Sequence, residues 1–96
     1  MRVEFSAPSR QDLIDITLQI ARDKPQRAKS YAVELRAACR SLQDHPRRFP
    51  VAVNTTEPLR RFVHGPYLVF YAVRSDHTRI VRILHGARQI TPDLLA

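Results

Sequence analysis

The stretch "TRIVRILHGARQI", residues Thr78 to Ile90, decides how the rest of the chain is read. A β-branched run closes on His85, Gly86 and Arg88, and Arg82 interrupts its apolar residues. Strand alternation sets Arg79, Val81, Ile83 and His85 on one face and Ile80, Arg82 and Leu84 on the other. If helices cover the Val81 and Ile83 face, Arg82 stands on the open face among apolar neighbours, which suits a surface that a partner covers. The run then reads as a central or near-central strand, with its exit residues His85 and Arg88 directed at a partner.

Working outward, "LRRFVH" (59–64) and "YLVFYAV" (67–73) are two more strand-like runs. Gly65 and Pro66 separate them, and "RSDHT" separates the second from the opening run, so tight connections predict an antiparallel meander. Before them "DHPRRFPVAVNTTEP" carries three prolines and no sustained period, which predicts a loop with at most a short edge strand at Val51 to Val53.

The first half is helical. Ala28, Tyr31, Ala32, Leu35, Ala38, Cys39 and Leu42 step by three and four from Pro25 to about Gln43. A preceding helix shows Leu13, Ile16 and Ile20 in one row, with Ile14, Leu18 and Ala21 in a second that widens the apolar stripe. Ser6 or Ser9 supplies its N-cap, Asp12 favours the dipole of its first turn, and Pro25 ends it near Asp23. "RVEF" (2–5) alternates as a short strand. The expected fold class is α+β in the order β-α-α-β-β-β, a helical hairpin packed on a mainly antiparallel sheet, in a single domain over residues 1–96.

Composition narrows the function classes. Sixteen Lys and Arg against nine Asp and Glu give +7, and 14 of the 16 are arginine. Residues 1–46 hold eight basic and six acidic residues (+2), whereas residues 47–96 hold eight and three (+5). Such charge attracts nucleic acid or an acidic protein, and the arginine fork suits phosphate and carboxylate alike. The lone Cys39 reads as a small buried hydrophobe. His45, His64 and His77 have no metal-ligand spacing, so no metal or cofactor is expected. No apolar run approaches the roughly 20 residues of a membrane span, which together with the lack of a leader sequence predicts a cytoplasmic protein without membrane contact.

Order and residues together resemble the RelE/ParE superfamily of toxins from bacterial type II toxin–antitoxin systems, and within it the ParE-like branch. The residues that carry the resemblance are the "DL" and Ile16 of the first helix, the second helix ending in "LQDHP", "LRRF" before "GPYLVFYAV", and above all "IVRILHGAR". Two positions depart from the family pattern: "RRFP" stands where a glycine usually follows "HP", and Gln89 where an acidic residue often follows the last arginine.

The resemblance implies a toxin that causes growth arrest, contributes to plasmid stabilisation and is held inactive by a cognate ParD-like antitoxin in a hetero-oligomer. The ParE branch binds DNA gyrase and traps its cleaved complex with DNA, needing no bond-making chemistry of its own. The alternative is the RelE type, a ribosome-dependent endoribonuclease, which needs a base, an acid and cations at the phosphate. In that case His85, Arg60, Arg82 and Arg88 would be catalytic; otherwise no catalytic residue is expected. The tail "QITPDLLA" offers no titratable side chain except Asp93, and only Lys24 and Lys29 are lysines, which favours the gyrase reading. The expected target- or antitoxin-binding residues are Arg60, Arg61, Arg82, His85 and Arg88, with nucleic acid met through the gyrase–DNA complex or the ribosome. A plain nucleic-acid-binding module is disfavoured because aromatic residues are not interleaved with basic ones.

Overall fold

The structure, a computed structural model, describes residues 1–54 and 56–95. Thr55 of the expected loop and Ala96, the last residue of the expected domain, lie outside the described residues. Strand β1 (Arg2–Phe5) leads into helices α1 (Ala7–Ala21) and α2 (Pro25–Arg40), followed by β2 (Val51–Asn54), β3 (Pro58–His64), β4 (Tyr67–Val73) and β5 (His77–His85). Short 3₁₀ turns cover Ser41–Gln43 and Pro92–Leu95. The sheet order is β1-β5-β4-β3-β2, parallel only between β1 and β5. This is the expected α+β arrangement of a helical hairpin on a mainly antiparallel sheet, and β5, which contains "IVRILH", lies second in it, with β4 along its length and β1 against its first half only.

Local chemistry explains the element boundaries. Ser6 caps α1: its Oγ accepts the Ser9 N–H at 3.0 Å and donates to the Val81 carbonyl at 2.7 Å, tying the helix start to β5. Pro25 opens α2, where its missing N–H is one of the donors a first turn leaves unpaired. Gly65 turns β3 into β4 with φ at +58°, and a Cβ there would lie 2.8 Å from the Tyr31 hydroxyl oxygen. The loop before β2 is pinned, because the Tyr71 hydroxyl donates to Pro46 O at 2.8 Å and the Phe49 ring stacks on Phe62.

Between sheet and hairpin lies the main core, where Leu13 and Ile16 of α1 meet Leu35 and Cys39 of α2 over Val69, Tyr71, Ile80 and Ile83. Cys39 is fully buried, as its position in the helical period predicts, and burial pushes its thiol up to about 12. A smaller cluster covers the other sheet face: Leu59, Phe70, Ala72 and Leu84, closed by Leu95 with Ile90 and Leu94.

Two expectations are corrected. Strict alternation along β5 fails, since Phe70 pairs with Arg82 while Tyr71 pairs with Ile80, leaving Val81 as an extra residue in a β-bulge. Ile80 and Ile83 therefore share the helix side, and Val81 packs in the cluster across the sheet with Leu84. Arg82 does stand opposite Phe70 on the far face, yet that face is not open, because the C-terminal segment lies over it. The second correction concerns α1, whose Ile14 and Leu18 do not widen the buried stripe but are 52% and 61% exposed.

Candidate functional site

Of the five residues expected to carry contact or chemistry, Arg61 and Arg82 flank Phe70 in one cross-strand row, whereas Arg60 stands opposite Tyr71, His85 opposite Tyr67, and Arg88 lies in the turn after β5. Parallel pairing of β1 with β5 ends at Phe5 and Ile80, so the β5 edge beyond it is left to α1. There Asp12 takes the place of a neighbouring strand: its Oδ2 accepts the Ile83 N–H at 2.9 Å and Arg82 Nε at 2.8 Å, and its Oδ1 accepts Arg82 Nη2 at 2.9 Å. Arg82 Nη1 donates to Leu94 O at 2.9 Å, fastening the C-terminal segment as well. Hydrogen bonding to Asp12 raises the Arg82 pKa, so the guanidinium stays charged. With side-chain exposures of 18% for Arg82 and 9% for Asp12, this pair is a structural clamp.

Arg60 is committed in a similar way. Its Nη1 donates to Arg47 O at 3.1 Å and Phe49 O at 2.6 Å, which holds the proline-rich loop against β3. Arg61, the next residue, is exposed, as is Arg88 in the turn after β5. Neither guanidinium has a hydrogen bond or ion pair among the described residues, while the Arg61 backbone N–H donates to Pro50 O at 3.4 Å and the Arg88 backbone N–H to His85 O at 3.0 Å.

His85 ends β5 exposed to solvent. Its Nδ1 accepts the Ala87 N–H at 3.0 Å, so the neutral ring carries its proton on Nε2. The ring meets Tyr67 edge-on, with centroids 5.3 Å apart. Register places His64, Tyr67 and His85 side by side on β3, β4 and β5, and Tyr31 of α2 lies against both Tyr67 (5.9 Å) and His64 (5.5 Å). Arg27 covers the Tyr31 ring at 5.2 Å, and the Tyr31 hydroxyl donates to His64 O at 2.9 Å. Burial raises the pKa of both tyrosines, so both hydroxyls stay protonated at neutral pH.

Sequence reasoning missed this row of rings, and it set Asp12 in the first turn of α1, whereas the helix starts at Ala7 and has no acidic residue in that turn; Asp12 serves Arg82 and Ile83 instead. The signal for the row was the two-residue link between His64 and Tyr67, which forces those side chains to stand as neighbours. For Asp12 it was a carboxylate adjoining Leu13 at the edge of an apolar stripe. The row contains basic and aromatic residues together, although Tyr31 and Tyr67 are only 8% and 7% exposed and offer no open stacking face.

A second surface is apolar. Ile14 and Leu18 of α1 and Val33 of α2, the last 70% exposed, border shallow grooves that Ala32 and Arg36 also line. Among the described residues no group of three or more His, Cys, Asp or Glu is placed to hold a metal ion. No helix among them is long and apolar enough to cross a membrane.

Comparison with known proteins gives these surfaces a context. "Toxin RelE2" of Caulobacter vibrioides is 36% identical over 77 residues, 80% of this chain and 85% of that protein. The solved structure titled "Chromosomal ParDE TA system from P. aeruginosa" superposes with a TM-score of 0.79 over 88% of this chain and 95% of its own, at 16% identity, and so shares the fold. The family model described as "ParE toxin of type II toxin-antitoxin system, parDE" matches residues 3–90, and the chain belongs to that toxin family.

Proposed function

We propose that this toxin arrests growth by binding DNA gyrase on DNA, through exposed arginines and without bond-making chemistry of its own. The observation that carries this reading is that three of the four catalytic candidates are already engaged within the chain. Arg82 is clamped by Asp12, Arg60 is spent on loop carbonyls, and His85 Nδ1 is taken by the turn. A phosphoryl-transfer site needs an acid, a base and cations aimed at one phosphate. What this chain leaves free is a set of exposed guanidinium groups, Arg61 and Arg88 foremost, suited to contact with an acidic protein surface or a DNA backbone.

Antitoxin binding in this reading uses the exposed apolar strip of the hairpin, flanked by Arg36 and Arg40, and the sheet face closed by the C-terminal segment. Messenger RNA cleavage on the ribosome remains as a second reading because His64 and His85 flank Tyr67 on one face. One paired assay separates the two. Purified protein is added to gyrase supercoiling and DNA-cleavage reactions, and in parallel to translating ribosomes. Stabilised gyrase–DNA cleavage with intact RNA is the expected result, weakened in the Arg61→Ala, Arg88→Ala double variant. Cut RNA, abolished by His85→Ala, with normal gyrase would overturn it.

A further inference from the structure

On the sheet face away from the helices, a cavity of about 320 Å³ opens between the ends of β3, β4 and β5. Its walls include Arg74, Arg79, Glu57, Leu59, Val81 and Leu95. Two of its three charges neutralise each other, because Arg74 Nε and Nη2 donate to Glu57 Oε2 at 3.0 Å and Oε1 at 3.1 Å. Arg79 is different. It is partly buried, and its guanidinium has no hydrogen bond or ion pair among the described residues. Glu4, its register neighbour on β1, is engaged by Arg2 at 3.4 Å and by His77 Nε2 at 3.2 Å.

We propose that this cavity, left beside the C-terminal segment, receives a carboxylate side chain, a glutamate or aspartate followed or preceded by an apolar residue, presented by the cognate antitoxin. The Arg79 guanidinium lines the cavity without a counter-ion among the described residues, and an incoming carboxylate would meet its planar fork in a charge-assisted pair. The charge count selects the ligand. Arg74, Arg79 and Glu57 together carry +1, which one carboxylate cancels, whereas a doubly charged phosphate meets the Glu57 carboxylate with charge to spare. Leu59, Val81 and Leu95 supply the apolar wall for an aliphatic neighbour. The volume is at the small end of ligand sites, right for one or two side chains.

Only the identity of the carrier rests on the toxin reading; the preference for a carboxylate is measured without it. The probe is the capped dipeptide N-acetyl-Leu-Glu-amide, titrated into the natural protein and followed by nitrogen–proton NMR. Expected are saturable shifts at Arg79 Nε–H and at the Leu59 and Val81 amides, about tenfold weaker binding of the Leu-Gln dipeptide, and a similar loss with Arg79→Gln. Equal binding of the two dipeptides overturns the proposal, even if Arg79→Gln fails to fold. Inorganic phosphate binding as tightly as the Leu-Glu dipeptide overturns it too, in favour of an unselective anion site. For the carrier, cells co-expressing toxin and cognate antitoxin are compared, with Arg79→Glu expected to keep toxicity and escape neutralisation. Unimpaired neutralisation of a toxic Arg79→Glu variant overturns the antitoxin as carrier, and failure of the gyrase assay touches neither result.

Discussion

Asp12 shows how much one side chain can hold. It satisfies a strand-edge N–H and a guanidinium at once, and through Arg82 it fixes the C-terminal segment by way of Leu94. Asp12→Ala strands both donors near the protein interior, for an expected loss of about 2–4 kcal/mol, read as a lower urea midpoint. Asp12→Asn keeps an acceptor for Ile83 and should fall between Ala and the natural residue. The alanine change at Arg82 acts on the same clamp, so lost toxicity in that variant would report unfolding as readily as lost contact. Cys39 allows a second prediction, in pH. Its folded pKa, about 12, lies above its ordinary value, so the unfolded chain releases the thiol proton first and stability falls as pH climbs from about 9 toward 12. Tyr31, Tyr67 and Tyr71, also raised by burial, add the same slope from about 10 upward. Cys39→Ala should delay the onset of alkaline unfolding toward pH 10, followed by circular dichroism; an unchanged onset would show that the thiol contributes nothing to it.

At the scale of elements, the start of α1 and the bulge in β5 are one device. The Ser6 hydroxyl serves the helix through Ser9 and the bulge through Val81, so Ser6→Ala removes a cap and a cross-element hydrogen bond together. An expected cost of about 2 kcal/mol exceeds that of a cap alone, and thermal melting would show it. Ser6→Thr should recover part of the loss. Sequence periodicity was enough to place both helices and the meander, because spacing in Leu35, Cys39 and Leu42, or the two residues between His64 and Tyr67, is local information. The bulge was not legible. Nothing near Val81 marks it, since the extra residue is set by which β4 partner each β5 residue finds. The alternation rule therefore placed Val81 beside Ile83, and the covering of Arg82 by residues 90–95 stayed hidden as well. Of the candidate site, Arg61, His85 and Arg88 lie exposed at strand or turn positions, whereas the commitments of Arg60 and Arg82 depend on loop and helix partners far away in sequence.

Taken as a whole, the molecule separates the groups that hold it together from the groups it leaves exposed. Its buried clamp and two apolar clusters account for the fold, yet Ile14, Leu18 and Val33 remain 52%, 61% and 70% exposed on the hairpin. Single exposed apolar residues are ordinary, but three bordering adjoining grooves on two packed helices form a patch that association would cover. Arg36 within it and Arg40 at its edge favour a partner that places acidic residues beside apolar anchors. Because these side chains contribute little to the core, replacing Leu18 and Val33 by glutamate should change stability by no more than about 0.5 kcal/mol at each site. The same double variant should stay toxic while its antitoxin fails to neutralise it, since two carboxylates would then face an acidic partner across a desolvated contact. Co-purification with the antitoxin and growth on co-expression measure this directly. Retained neutralisation, with the complex surviving purification, would move the antitoxin off the hairpin and leave the sheet face as its anchoring surface.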